Sequence, residues 1–210
     1  MHKPDPLHLE ALAKTNLRLA RCVSCSLYTT PGCPVPAIAG SKTPKVFFVG
    51  EAPGATEAEP TGYTLDAAPA VIPTGRPFVG FSGKKLKEAI AQAGFELEDI
   101  VVTNAVKHRP PDNRTPTAEE YKTCSQYLKE EIEILKPKHI IALGAIPSRA
   151  LAHLAGINLP ASGLRGKTFD CLGAKVYCTW HPAYAFGYNK KAAVDLEQDL
   201  TAVAQLLEKK

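Results

Sequence analysis

The sequence predicts an α/β fold, a three-layer α/β/α sandwich with a short, mostly parallel central sheet of about four strands. Three observations lead there. Four runs rich in Val, Ile or aromatic residues, at 45–49, 100–103, 139–143 and 175–179, are too short to be helices. They lie far apart in the chain, and the stretches between them show helical spacing of apolar residues. Strands alternating with helices pair in parallel and bury both sheet faces under helical layers.

Taken in order, residues 7–20 read as a helix, with apolar side chains at 9, 12, 17 and 19 or 20, that delivers a loop carrying Cys22-Val-Ser-Cys25. Residues 29–45, rich in Pro and Gly, are expected to be a loop. The first strand runs into Gly50-Glu51-Ala52-Pro53-Gly54, and a helix is expected over 82–93. The second strand ends in Thr103-Asn104. The helix over 117–135 opens on Thr117-Ala-Glu-Glu120, the Ser/Thr-x-x-Glu pattern that satisfies orphan N–H groups at a helix start. The third strand meets Gly144 and a helix over 145–155; the fourth meets His181-Pro182 and a final helix over about 190–208. In such sheets ligands gather outside the carboxyl ends of the strands, and the unusual residues Glu51, Asn104, Gly144 and His181 all fall there. Polar loops follow strands in any protein, so placement alone does not define a site.

A chain of 210 residues can bury a full core and is read as a single domain, 1–210. The formal net charge of +4 is compatible with a polyanionic partner but falls short of an obvious nucleic-acid binder. No segment approaches the roughly 18–20 apolar residues of a membrane span, and Met1-His-Lys-Pro-Asp-Pro6 lacks the apolar core of an export signal. A cytoplasmic monomer with no membrane partner is therefore expected. In a reducing compartment the Cys-x-x-Cys pair reads as a metal or redox element rather than a disulfide. Cys124 and, sixteen positions before it, His108 complete a possible ligand set with Cys22 and Cys25. Cys171 and Cys178 flank a strand-like stretch and read as small apolar groups, and Cys33 as a loop thiol.

Gly50-Glu-Ala-Pro-Gly54, Thr74-Gly-Arg-Pro-Phe-Val-Gly80, Thr103-Asn-Ala-Val-Lys107, Arg109-Pro-Pro-Asp-Asn-Arg114 and His181-Pro-Ala-Tyr184 occur in the order found in the iron–sulfur, or family 4, uracil-DNA glycosylases. The chain resembles that family from its first cysteine to its last helix. Two features depart from the pattern. The family has cysteine where this chain has His108, and residues 55–73 hold an apparent insertion. The Thr103–His108 run is also similar to a branch that traps uracil-DNA covalently, but residues 109–123 contain no histidine in the trapping position, so covalent trapping is not expected.

The resemblance implies a DNA glycosylase that flips uracil out of DNA and hydrolyses its N-glycosidic bond, leaving an abasic site. Cleavage passes through an oxocarbenium-like sugar and a departing base anion. Extruding the base costs a few kcal/mol. Phe78 would stack on the base at about 1–3 kcal/mol. The Asn104 amide, one donor group and one acceptor, would read the N3/O4 edge and exclude cytosine. His181 would donate to O2 and stabilise the base anion, worth about 3–4 kcal/mol by analogy with oxyanion holes. Glu51 would orient water, with Glu57 a second candidate, and the backbone of Gly50, Ala52 and Gly54 would approach the substrate. Each also has a bland reading: core aromatic, strand-end cap, loop histidine, solvated acid.

The resemblance likewise implies a [4Fe–4S] cluster on Cys22, Cys25, His108 and Cys124, structural rather than catalytic, with a structural Zn ion on the same Cys₃His set as the alternative. The partner it implies is DNA carrying uracil or a modified pyrimidine, single- or double-stranded. Lys107, Arg109 and Arg114, and Lys84, Lys85, Lys190 and Lys191 near helix starts, are candidate phosphate contacts. Tyr184 or Phe186, after the His-Pro pair, is a candidate wedge into the vacated stack. No lysine is placed for Schiff-base lyase chemistry. Three alternatives remain: a glycosylase for a bulkier pyrimidine such as occurs in phage DNA, a DNA-binding module that has lost turnover, and an iron–sulfur redox carrier.

Overall fold

Strands β1 (Ile38–Ala39), β2 (Val46–Gly50), β3 (Ile100–Asn104), β4 (His139–Leu143), β5 (Thr168–Cys171) and β6 (Ala174–Thr179) form one sheet in the order β1-β3-β2-β4-β6-β5. The computed structural model describes residues 6–39, 44–60 and 75–208. The four strands expected from sequence are the parallel centre, β3-β2-β4-β6. The sheet is wider than the four strands expected, because β1 and β5 add short antiparallel edges. β1 is two residues inside the Pro/Gly-rich stretch expected to be all loop. β5 joins β6 through Leu172-Gly173, both at positive φ (49° and 84°), the backbone that a two-residue hairpin turn demands.

Among the described residues six helices cover the sheet: α1 (Pro6–Ala20), α2 (Phe81–Gln92), α3 (Ala118–Leu135), α4 (Ala145–Leu154), α5 (Pro182–Tyr188) and α6 (Lys190–Glu208). Thr117 and Glu120 form the expected capping box at the start of α3. Successive residues of each central strand face opposite layers. Phe47, Val49, Val101, Ile140 and Ala142 enter the core beneath α3 and α4, whereas Val46, Phe48, Val102, Ile141 and Leu143 enter the core beneath α2, α5 and α6. Phe47 and Phe48 are fully buried on opposite faces. At about 1.5–3 kcal/mol per buried large apolar side chain, such residues lock the register. Cys171 and Cys178 are buried in the first of these cores, as expected of small apolar groups.

α5 is not among the helices expected from the sequence, where Tyr184 and Phe186 figure only as wedge candidates after the His-Pro pair. His181 caps it, its side chain accepting from the Ala183 N–H, and Pro182 occupies the first turn, where no N–H is needed. No helix among the described residues is long and apolar enough to cross a membrane.

Candidate active site

The carboxyl ends of β2, β3 and β6 open on a cavity of about 360 Å³ lined by, among others, Glu51, Ala52, Gly54, Phe78, Asn104 and His181. The three side chains expected to clamp a base therefore converge on one cavity. Gly50 ends β2 between two of them: a Cβ there would lie 2.3 Å from Asn104 Oδ1 and 2.9 Å from Phe78 Cζ. Only a residue without a side chain allows that approach. Gly50 and Glu51 carbonyls accept from the Ala105 and Val106 N–H groups at 2.9 and 3.1 Å, so the loop after β2 stays fastened beside the end of β3.

Asn104 forms the cavity floor at 2% exposure, and its buried Nδ2 has no hydrogen-bond partner among the described residues. An unsatisfied buried amide donor costs about 1–3 kcal/mol, and each such exception in a native protein calls for an explanation, a bound partner among them. Phe78 is 7% exposed and sits at φ 56°, a left-handed conformation worth of order 1–3 kcal/mol of strain for a bulky residue. Gly83 of α2 packs so tightly that a Cβ would come within 2.4 Å of the Phe78 backbone. Both features aim the ring into the cavity.

His181 is fixed from three sides. Thr179 Oγ1 donates to Asp199 at 2.6 Å and Trp180 Nε1 to Asp195 at 3.3 Å, tying the end of β6 to α6. Arg165 holds the same two carboxylates. A Cβ at Gly144, φ 104°, would lie 2.9 Å from the His181 Cβ, so glycine is what lets the turn after β4 pack this closely behind the histidine. His181 Nδ1 accepts the Ala183 N–H at 3.2 Å, which puts the proton of a neutral ring on Nε2. Burial lowers the imidazole's pKa, so the neutral donor form prevails at physiological pH. Glu51 is half-buried; burial raises its carboxyl above the usual range, against a hydrogen bond from Thr115.

The rim holds Pro110, Asn113 and Arg114 on one side and Phe81 on the other. Phe81, 66% exposed at the first position of α2, is a rim aromatic that sequence reasoning missed, since its neighbours gave no sign of which face it takes. Arg114 is paired to Glu120 through both nitrogens, at 2.9 and 2.6 Å. Arg109 bonds Asn113 at 2.8 Å. Lys107 is not a surface cation: it is fully buried, with Nζ 2.7 Å from Glu131 and 2.5 Å from Thr103 Oγ1, so it cannot reach a phosphate. Phe186 packs against the core beneath α6 and is ill placed as a wedge. Tyr184 is 43% exposed, its ring tilted at 47° to that of Trp180 and its hydroxyl accepting from Asn189, and Tyr188 is more exposed still, at 88%. Lys84, Lys85, Lys190 and Lys191 are exposed, Lys85 and Lys191 facing Glu88 and Asp195. Residues 61–73, most of the 55–73 insertion, lie outside the described residues.

Cys22, Cys124 and Tyr127 pack around Leu19 where α1 meets α3. Cys25 lies near enough for its charge to be felt at Cys124, and the Lys107 N–H donates to the Cys124 sulfur at 3.3 Å, which brings the residue before His108 to the same corner. His108 is buried at 8% exposure. Among the described residues no three His, Cys, Asp or Glu side chains are grouped closely enough to hold a single metal ion.

A family model described as the uracil DNA glycosylase superfamily matches residues 38–206, which include the whole cavity. The chain is 40% identical over 177 residues to a type-4 uracil-DNA glycosylase of Pyrobaculum aerophilum, covering 82% of this chain and 83% of that protein. It is 32% identical over 207 residues to a type-4 uracil-DNA glycosylase of Archaeoglobus fulgidus, with 96% of each covered. A third relative of the same description, from Thermotoga maritima, is 38% identical over 169 residues, 80% of this chain and 79% of the relative. With the family model spanning the sheet, helices α2 to α5, most of α6 and the converged cavity, the chain belongs to the uracil-DNA glycosylase superfamily.

Proposed function

We propose that this protein is a uracil-DNA glycosylase, a hydrolase that extrudes uracil from DNA and releases it with water, leaving an abasic site. The observation that carries the reading is the convergence of an unpartnered Asn104 amide, a strained Phe78 ring and a neutral His181 donor on one cavity. The superfamily match and the type-4 relatives support it.

The extruded base lies against Phe78 while the Asn104 Nδ2 donates to O4 and its Oδ1 accepts from N3–H. Cytosine offers a donor at position 4 and no N3–H, and both contacts fail. As the C1′–N1 bond breaks, electrons pass to the base and His181 Nε2–H faces the charge that grows on O2. A donor of that kind in a water-poor site is worth about 3–4 kcal/mol. Glu51, at the mouth of the first loop, orients the water whose oxygen joins C1′ and accepts its proton; burial raises its affinity for that proton.

Cys22, Cys25, His108 and Cys124 would hold a [4Fe–4S] cluster. The packing of Cys22 with Cys124 and the N–H donated to the Cys124 sulfur suit thiolate ligands. The same three thiolates and imidazole would also make a Cys₃His zinc site, so metal content decides between the two. The cluster would pin the segment after β3 to the N-terminal loop. DNA would lie across the Phe81, Arg114 and Tyr184 rim. Iron and sulfide near four per chain, with absorbance near 400 nm, are expected; stoichiometric zinc without iron would reverse this assignment.

The deciding experiment is base release from oligonucleotides carrying uracil, hydroxymethyluracil or cytosine, single-stranded and duplex, scored by alkali-labile breaks. Uracil release without cytosine release is expected. Release of a modified pyrimidine but not uracil would overturn the substrate, and binding without any release would overturn the enzyme.

A further inference from the structure

We propose that Glu57 is a positioning residue whose carboxylate clamps the loop after β2 to the loop before α2 and so holds the Phe78 ring over the base. The proposal rests on the uracil-excision reading and assigns Glu57 a task other than water activation. Glu57 lines the cavity, but its carboxylate is turned to the protein: it accepts from the Gly54 N–H at 3.3 Å and from the backbone N–H groups of Phe78 and Val79. An ionised carboxylate has about four acceptor sites, and three are engaged by main chain.

The backbone around Glu57 makes the same junction. Its carbonyl accepts from the Arg76 N–H at 2.9 Å, and the Ala58 carbonyl from the Cys33 N–H at 2.7 Å. A Cβ at Gly75 would sit 1.9 Å from the Glu57 oxygen, so the second loop crosses the first with no room for a side chain. Residues 54–58 thus form a strut between two other segments. Phe78 needs such support, because a bulky residue keeps φ 56° only where its surroundings over-determine it. Two of the three N–H groups on the Glu57 carboxylate belong to Phe78 and the residue after it.

The test uses the full-length protein with Glu57→Ala, Glu57→Gln, Phe78→Ala and the Glu57→Ala/Phe78→Ala pair. Steady-state excision of uracil from a single-stranded oligonucleotide is measured alongside amide hydrogen exchange at Phe78 and Val79 without DNA. Glu57→Ala should lower kcat about 10- to 100-fold, the scale of a small misplacement of a reacting group, with a lesser change in KM. Glu57→Gln keeps an acceptor oxygen and should retain activity within about tenfold of the parent. In the Phe78→Ala background the alanine at 57 should cost little more. Exchange at Phe78 and Val79 should accelerate in Glu57→Ala and change little in Glu57→Gln. Two independent, multiplying losses would overturn the proposal. So would a glutamine variant as inactive as the alanine variant with exchange unchanged, which would return Glu57 to proton or water chemistry. An unsubstituted protein that releases no uracil would sink the substrate reading and leave the exchange comparison standing as the test of the clamp.

Discussion

Replacing Asn104 with alanine should leave the fold about as stable as before while removing most excision. The amide is 2% exposed and its Nδ2 has no partner among the described residues, so the folded chain bears an unmet donor worth about 1–3 kcal/mol. Truncation relieves that cost and forfeits a comparable amount of packing. The net change should fall within about 1 kcal/mol of zero, a Tm shift of no more than about 2–4 °C for a chain of this size. The substrate side behaves differently. Uracil O4 and N3–H would each enter a water-poor floor without a partner, at about 1–3 kcal/mol apiece. The sum, about 2–6 kcal/mol, corresponds to a fall in kcat/KM of roughly 30-fold to 10⁴-fold. Thermal unfolding and base release from a uracil oligonucleotide test both halves. A Tm loss beyond about 6 °C would show that the amide has an internal partner. Excision within threefold of the parent would show that it does not read the base.

Glu51→Gln should trade activity for stability. Burial raises the Glu51 carboxyl above its ordinary value, so as pH rises the unfolded chain gives up that proton first and ionisation in the folded state costs stability. The variant should therefore gain Tm at neutral pH, gain little in acid where both states are protonated, and lose most excision; melts across pH show whether the gain grows as pH rises. Lys107→Met strands Glu131 with no exposure at all, and breaking one half of such a buried pair costs about 3–5 kcal/mol, a Tm loss of about 6–20 °C. Pairing it with Glu131→Leu should recover most of that loss, and simple addition of two losses in calorimetry would refute the coupling.

The central strands were legible because each is a short run buried on both faces, where Val, Ile and Phe dominate whatever the loops do. The edges were not: two residues of β1 carry no periodicity, and β5 is stabilised by a turn backbone at Leu172 that no residue preference announces. His181 and Pro182 held the chemistry of a helix start, yet seven residues with Gly187 among them make a weak helical pattern. Asn104, Phe78 and His181 were legible from the order of their motifs. Lys107 was misread because it stands beside Arg109 in a basic run, while its partner Glu131 lies 24 residues away on α3. Glu57 was recognised as a candidate acid of the loop after β2, but that its carboxylate accepts from the Gly54 N–H shows only where the two loops cross. Phe81 gave no signal at all, because exposure at the first turn of α2 is decided by what packs behind it.

The glycines touching the reactive cluster give the recess a one-way character. Bare main chain at Gly50 and Gly144 stands directly behind Asn104, Phe78 and His181, and substitution there can only add atoms. Any atom added would push those side chains out of place, and none can be taken away to make room. A relative that accommodates a swollen nucleobase would have to find the extra space by thinning Phe78 or reshaping the ring of loops at the entrance, leaving the glycines behind the clamp as they are.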